Sequence, residues 1–226
     1  YYTGACSAMI KAVIFDLDGL LLDSEIVAFK VYEELGRRFH FELPLADFMQ
    51  NFCGQPLRRN VAYCTERFQL PWGLEEAVEE VLRIEESILD EGVDVMPGAR
   101  ELLTFLKENS YKTAVASSSA RERSMRLLEQ HDLVKFFDDF VFGPEVEKGK
   151  PNPDIFLKAA EKIGVAPENC LVLEDSQAGI QAGYTAGMYV ICIPDLKYPT
   201  EEYVEMATAV KESLFDIISY LKDQTI

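Results

Sequence analysis

Two carboxylates, Asp16 and Asp18, stand two residues apart in DLDG, directly after the apolar run KAVIF of residues 11–15. Carboxylates just beyond a strand end can converge on one cation and one reacting group. Burying both without a counter-charge is costly, because like charges repel and desolvation penalises each. The same letters also suit an Asp- and Gly-rich turn, so this fragment alone leaves both readings open. A second pair, Glu174 and Asp175, follows CLVL of residues 170–173 in the same manner. Oxygen-rich sites with few protein ligands suit Mg²⁺, which keeps waters and a substrate phosphate in its shell.

Two further pieces carry positive or hydrogen-bonding potential. Ser117 closes the run TAVA of residues 113–116, and Ser119 and Glu122 have the spacing of a capping box, so a helix is expected to begin here. A helix N-terminus preceded by hydroxyls and backbone N–H groups is an anion site, although an ordinary serine cap has the same spelling. Lys150 lies in KGKPNPDIF. Pro151 bars it from helical conformation, while Asn152 and Pro153 read as the cap and first residue of the next helix. Lys150 is therefore expected on a loop, where its charge can offset phosphate and carboxylates.

These residues need a scaffold that brings them together. Short apolar runs at 11–15, 113–116, 170–173 and 189–193, with FVF at 140–142 as a further candidate, alternate with helical patterns at 99–109, 121–130, 153–163 and 178–186. Such alternation implies a Rossmann-like α/β fold, a parallel sheet with helices on both faces. Ligands of these sheets lie at the carboxyl ends of the strands. Residues 25–92 break the pattern with helical stripes (Val27, Val31, Leu35; Val78, Val81, Ile84, Ile88) punctuated by Pro44, Pro56 and Pro71. They read as a helical domain inserted into a core of residues 9–24 and 93–226. Gly179, Gly183 and Gly187, four apart, suggest a helix packed closely on the sheet.

Composition narrows the partners. The chain has 226 residues, 48% hydrophobic and 27% charged, with a net charge of −17. That excludes disorder, and repulsion from polyanions argues against nucleic acid and anionic membrane surfaces. No apolar run approaches the ~20 residues of a membrane helix. Residues 1–8 lack the features of a secretory signal and read as a leader ahead of a start at Met9. The five cysteines form no CxxC pair or zinc spacing, which fits buried thiols in a reducing compartment, the cytoplasm. GxSxG, GxGxxG and HExxH motifs are absent, and Pro151 after Lys150 rules out a P-loop.

The four pieces, DLDGLLLDSE, the serine after TAVA, the lysine of GKPNPDIF and LVLEDSQAGI, occur in the order found in the haloacid dehalogenase-like hydrolase superfamily. The chain resembles that superfamily from Met9 nearly throughout, above all the branch with an α-helical cap inserted after the first motif. That branch holds β-phosphoglucomutase-like proteins and small sugar-phosphate phosphatases. The resemblance implies that Asp16 is a nucleophile forming an aspartyl-phosphate and that Asp18 is the general acid and base. It implies Mg²⁺ on the Asp16 carboxylate, the Asp18 carbonyl and Asp175, with Glu174 direct or through water. Ser117, Lys150 and backbone N–H groups around Leu17 and Ser118 would hold the phosphoryl oxygens.

The cap is expected to select the substrate. Gly54, Gln55, Arg58 and Arg59 form its most polar stretch, with Arg58 and Gln55 as candidate substrate contacts. The expected activity is Mg²⁺-dependent hydrolysis of a small phosphorylated metabolite, a sugar phosphate above all, by a monomer. A β-phosphoglucomutase-type mutase needs the same core, but its cap histidine, twelve residues after the nucleophile, is Ala28 here. Dehalogenases lack the second motif-one aspartate. Phosphonate hydrolysis needs a Schiff-base lysine, and the cap offers only Lys30. A non-catalytic regulator on this scaffold would be marked most simply by loss of the nucleophile, which is present.

Overall fold

The computed structural model describes residues 9–53 and 55–223. Residues 1–8, expected to be a leader, and Gly54 lie outside the described residues. The chain divides into two compact units, one of them Leu22–Asp94, the other running up to Leu21 and resuming at Val95.

The unit Leu22–Asp94 is helical: α1 (Glu25–Phe39), α2 (Leu45–Asn51), α3 (Leu57–Phe68) and α4 (Leu74–Glu91). Helix α1 buries Val27, Val31, Tyr32 and Leu35, the i, i+4 pattern visible in the sequence. Pro44 and Pro56 sit immediately before α2 and α3, where a missing N–H costs nothing. Tyr32, Phe48 and Phe52 build the aromatic centre, with ring centroids 4.9 Å apart for Tyr32–Phe52 and 5.6 Å for Phe48–Phe52. In α4 the buried residues are Ala77, Val81, Ile84 and Leu89, whereas Val78 and Ile88 of the expected stripe are half-buried. Small Ala77 rather than larger Val78 lies on the inward face.

The other unit is a six-stranded parallel sheet of β1 (Ala12–Phe15), β2 (Lys112–Ser117), β3 (Asp139–Phe142), β4 (Cys170–Glu174), β5 (Tyr189–Cys192) and β6 (Ala209–Val210), in the order β3-β2-β1-β4-β5-β6. Phe15 lies level with Val115 and Leu173, so the residues following β1, β2 and β4 emerge at one edge. Every residue of β1 and β4 is buried, as expected where helices cover both faces. On one face Ile14, Ala116, Val172 and Val190 pack with Phe156 and Ala159 of α7 (Asp154–Ile163) and Ile180 and Ala182 of α8 (Gln177–Thr185). Truncating Phe156 to alanine would cost about 3–5 kcal/mol.

Helices α5 (Ala99–Glu108), α6 (Arg121–Gln130), α9 (Glu201–Met206) and α10 (Phe215–Asp223) complete this unit, with α5 against β2 and α10. Among the described residues no helix is long and apolar enough to cross a membrane.

The glycine series has three different roles. A Cβ on Gly183 would stand 2.7 Å from Val190 Cγ2, which is the close helix–sheet packing expected. Gly187 has φ +73° with open space around it and ends the helix in the left-handed region. Gly179 faces the Glu174 carboxylate instead. The strand β6 and helices α9 and α10 have no counterpart among the elements expected from the sequence.

Candidate active site

Asp16 follows β1, and its N–H donates to the carbonyl of Leu173 on β4 (3.0 Å), which extends the ladder by one residue. The carboxylate is buried. The turn beyond it is closed by the Leu21 N–H donating to the Leu17 carbonyl (3.0 Å), with Gly19 at φ +78°. A left-handed residue here accounts for the glycine of DLDG. Leu17 itself is fully buried.

The Lys150 ammonium ties three strands together. It lies 2.5 Å from Asp16 Oδ1, 2.5 Å from Glu174 Oε1 and 3.0 Å from the carbonyl of Ala116. Its side chain is 5% exposed, and those of Asp16 and Glu174 are 10% and 0%. Ions so withdrawn from water cost several kcal/mol each unless paired. Burial opposes the charge on Lys150, but the Asp16 and Glu174 carboxylates outweigh it and raise its pKa above the ordinary lysine value. Burial, followed by repulsion from Glu174, pushes the Asp16 carboxyl up to about 8 against the pull of Lys150. The loop holding Lys150 places Pro153 at the cap of α7, one residue later than expected. Asn152 instead donates to the Gly149 carbonyl (3.0 Å).

Glu174 is held from the opposite side by Ser176, whose hydroxyl donates to Oε2 at 2.9 Å and whose N–H donates at 3.2 Å. The Ser176 hydroxyl also accepts from the Gly179 N–H (3.1 Å) and so caps α8. Oxygen atoms of Asp16, Glu174 and Asp175 lie within 4.8 Å of one another. Three carboxylates around one lysine leave negative charge in excess. A set made only of hard oxygen donors fits Mg²⁺.

Ser117 ends β2, is 1% exposed, and its hydroxyl accepts from the Ser119 N–H at 3.1 Å. Ser118 is exposed, with its carbonyl against Gly143, where any Cβ would fall 2.2 Å from that oxygen. The capping box expected of Ser119 and Glu122 is not formed. Helix α6 starts after Ala120 without a side-chain cap, and the Ser119 hydroxyl donates to Asp18 Oδ2 at 2.7 Å. A charged acceptor outcompetes neutral backbone as a hydrogen-bond partner. Asp18 Oδ1 accepts from Arg123 at 2.9 Å. Sequence reasoning misses Arg123, because a lone arginine on a helix reads as surface.

In the helical unit, Gln55 lines a cavity of about 160 Å³ together with Ala28, Tyr32, Phe48, Phe52 and Asn60. Arg58 does not line it. Its exposed guanidinium pairs with Glu75.

Residues 13–193 match the haloacid dehalogenase-like hydrolase family. The chain is 34% identical over 179 residues to a Thermotoga maritima protein named "Phosphorylated carbohydrates phosphatase", covering 79% of this chain and 82% of that one. It is 35% identical over 213 residues to a Drosophila melanogaster protein named "Probable pseudouridine-5'-phosphatase", covering 90% and 89%. Among solved structures, a HAD family hydrolase from Deinococcus radiodurans, with bound phosphate and sodium, superposes with a TM-score of 0.83 at 27% identity, covering 96% of this chain and 97% of that one. With the motif residues gathered at one sheet edge and most of the core matched in sequence, the chain belongs to the haloacid dehalogenase-like hydrolase family.

Proposed function

We propose that this protein is a Mg²⁺-dependent phosphatase that hydrolyses a small phosphorylated metabolite, a sugar phosphate first among candidates, through an aspartyl-phosphate on Asp16. The observation that carries the reading is the cluster of buried Asp16, Lys150 and Glu174 with half-buried Asp175 beyond the carboxyl ends of β1 and β4. Phosphatases named among its relatives support the same class.

Asp16, Glu174 and Asp175, with the Asp18 carbonyl, would hold Mg²⁺, which when bound supplies charge neutralisation and orients the phosphoryl group. The Asp16 carboxylate attacks phosphorus, which splits one hard displacement into two. Asp18 protonates the leaving oxygen and later takes the proton of the attacking water. Ser117, Lys150 and the N–H groups of Leu17 and Ser118 hold the remaining phosphoryl oxygens, where charge is spread in a loose transition state. Gln55 and Arg58 are proposed as substrate contacts of the cap.

The reading takes the protein as a cytoplasmic monomer without a nucleic-acid or membrane partner, in keeping with its net charge of −17 and its isolated cysteines. The mutase alternative is disfavoured by Ala28. Hydrolysis of p-nitrophenyl phosphate with Mg²⁺ is expected, abolished in Asp16→Asn and by EDTA. Activity that survives either treatment would overturn the mechanism. A panel of sugar phosphates, nucleotides, phosphoglycolate and pseudouridine phosphate then ranks substrates, and a β-glucose 1-phosphate isomerisation assay separates hydrolase from mutase.

A further inference from the structure

Both carboxylate oxygens of Asp18 are engaged by side chains from one short stretch. Ser119 donates to Oδ2 at 2.7 Å and Arg123 Nη1 to Oδ1 at 2.9 Å. The same Arg123 nitrogen lies 3.3 Å from the Ser119 hydroxyl, which closes a three-membered ring of contacts. The pair is three-quarters withdrawn from solvent, with side chains 23% and 24% exposed. Arg123 belongs to the first turn of α6, and Ser119 to the link between β2 and that helix. The residues that follow one strand therefore set the direction of a carboxylate that follows another.

An aspartate on a turn would otherwise sample several rotamers. A group that must pass a proton to one particular oxygen loses rate when its direction is not fixed. These two hydrogen bonds are made by other side chains than those that join Lys150 to Asp16 and Glu174. We propose that Arg123, assisted by Ser119, is a positioning residue that holds Asp18 in the direction needed for proton transfer. The proposal rests on the phosphatase reading above. In the first half-reaction a bond forms between Asp16 oxygen and phosphorus while the ester P–O bond breaks, and the Asp18 proton passes to the departing oxygen. In the second, the water oxygen bonds to phosphorus, the Asp16–phosphorus linkage breaks, and the water proton returns to Asp18.

A merely structural ion pair and a positioning pair differ in how their loss depends on the leaving group. p-Nitrophenolate departs without needing a proton, whereas an alkoxide does not. Kinetics are measured for Arg123→Met, Arg123→Lys and Ser119→Ala on p-nitrophenyl phosphate and on glycerol phosphate, with Mg²⁺ saturating. Arg123→Met is expected to lower kcat/KM, which reports the first half-reaction alone, ~10–100-fold more on the alkyl ester than on the aryl ester. Ser119→Ala should show the same bias more weakly. Arg123→Lys should recover part of the alkyl rate, because one of the two contacts can be remade by an ammonium.

Equal losses of kcat/KM on both esters in all three variants would overturn the proposal, as would variants with unaltered kcat/KM. Should Arg123→Met fail to fold, the ratio of alkyl to aryl rates in the two milder variants decides. Failure of the underlying reading shows separately, as absence of Mg²⁺-dependent turnover in the unmutated protein, and would sink both.

Discussion

Gly179 and Glu174 leave no space between them: a Cβ on Gly179 would stand 1.8 Å from Glu174 Cδ. The first turn of α8 thus forms the wall against which the carboxylate rests, while Lys150 approaches from the other side. Gly179→Ala must displace either the helix or Glu174. Overpacking of this kind costs about 1–3 kcal/mol, and shifts of about 1 Å in a positioned group can cost ~100-fold in rate. The variant is expected to melt lower and to lose at least ~10-fold in turnover. Gly149→Ala, next to Lys150 but facing open space, is the control, expected within about 0.5 kcal/mol of the parent.

The elevated pKa of Asp16 makes stability without metal depend on pH. Its carboxyl is pushed from 3.8 up to about 8 on folding. Between those values the folded state holds a proton that the unfolded chain has released, so stability falls as pH rises through this window. The neutral amide introduced by Asp16→Asn has no such proton to lose. In EDTA, that variant is expected to melt above the parent at pH 9, with the gap narrowing as pH falls and closing below the ordinary value of 3.8. Thermal melts across pH test this, and a gap that widens toward acid would contradict it.

Asp138 carries the opposite sign. Burial would raise its pKa, but the Thr113 N–H and the Lys112 ammonium, each 2.9 Å away, outweigh burial and hold it below the usual carboxylate range. A carboxyl depressed on folding contributes stability above its unfolded pKa and loses it as pH falls through the folded value. The side chain is 38% exposed, so screening reduces the ionic part and about 1 kcal/mol is expected from the hydrogen bonds. Asp138→Ala should lower the urea midpoint at pH 7, and the difference should fade as pH falls below the ordinary carboxylate value of 3.8.

Burial raises the Cys64 and Cys192 thiols to about 12 and Cys170 to about 11. Thiolate is the reactive form, so iodoacetamide at pH 8 is expected to leave these three unlabelled in the native protein. Peptide mapping after labelling in urea should find all three modified.

The strand-end acids and Lys150 were legible in the sequence, because an apolar run ending in a carboxylate leaves few places for that carboxylate to go. Ser119 was legible as a helix-start residue but not in its partner, since one hydroxyl serves either backbone or Asp18 and only the fold brings Asp18 near. Arg123 lies 105 residues from its acceptor and had no local signature. Gly179 announced close packing without naming the surface opposite. The two-residue strand β6 is too short for any alternation to show.

The sheet order also governs how the molecule can be made. β1 is made before either of its neighbours, yet it occupies an interior place, with Ala12 beside both Lys112 and Cys170. Until those partners are synthesised, AVIF is an apolar strand with two bare edges, the kind of segment that pairs with other chains. Refolding yield should therefore fall with protein concentration, and turnover should return only with the last of the central strands. Enzymatic activity in this protein is accordingly a reporter of completed folding.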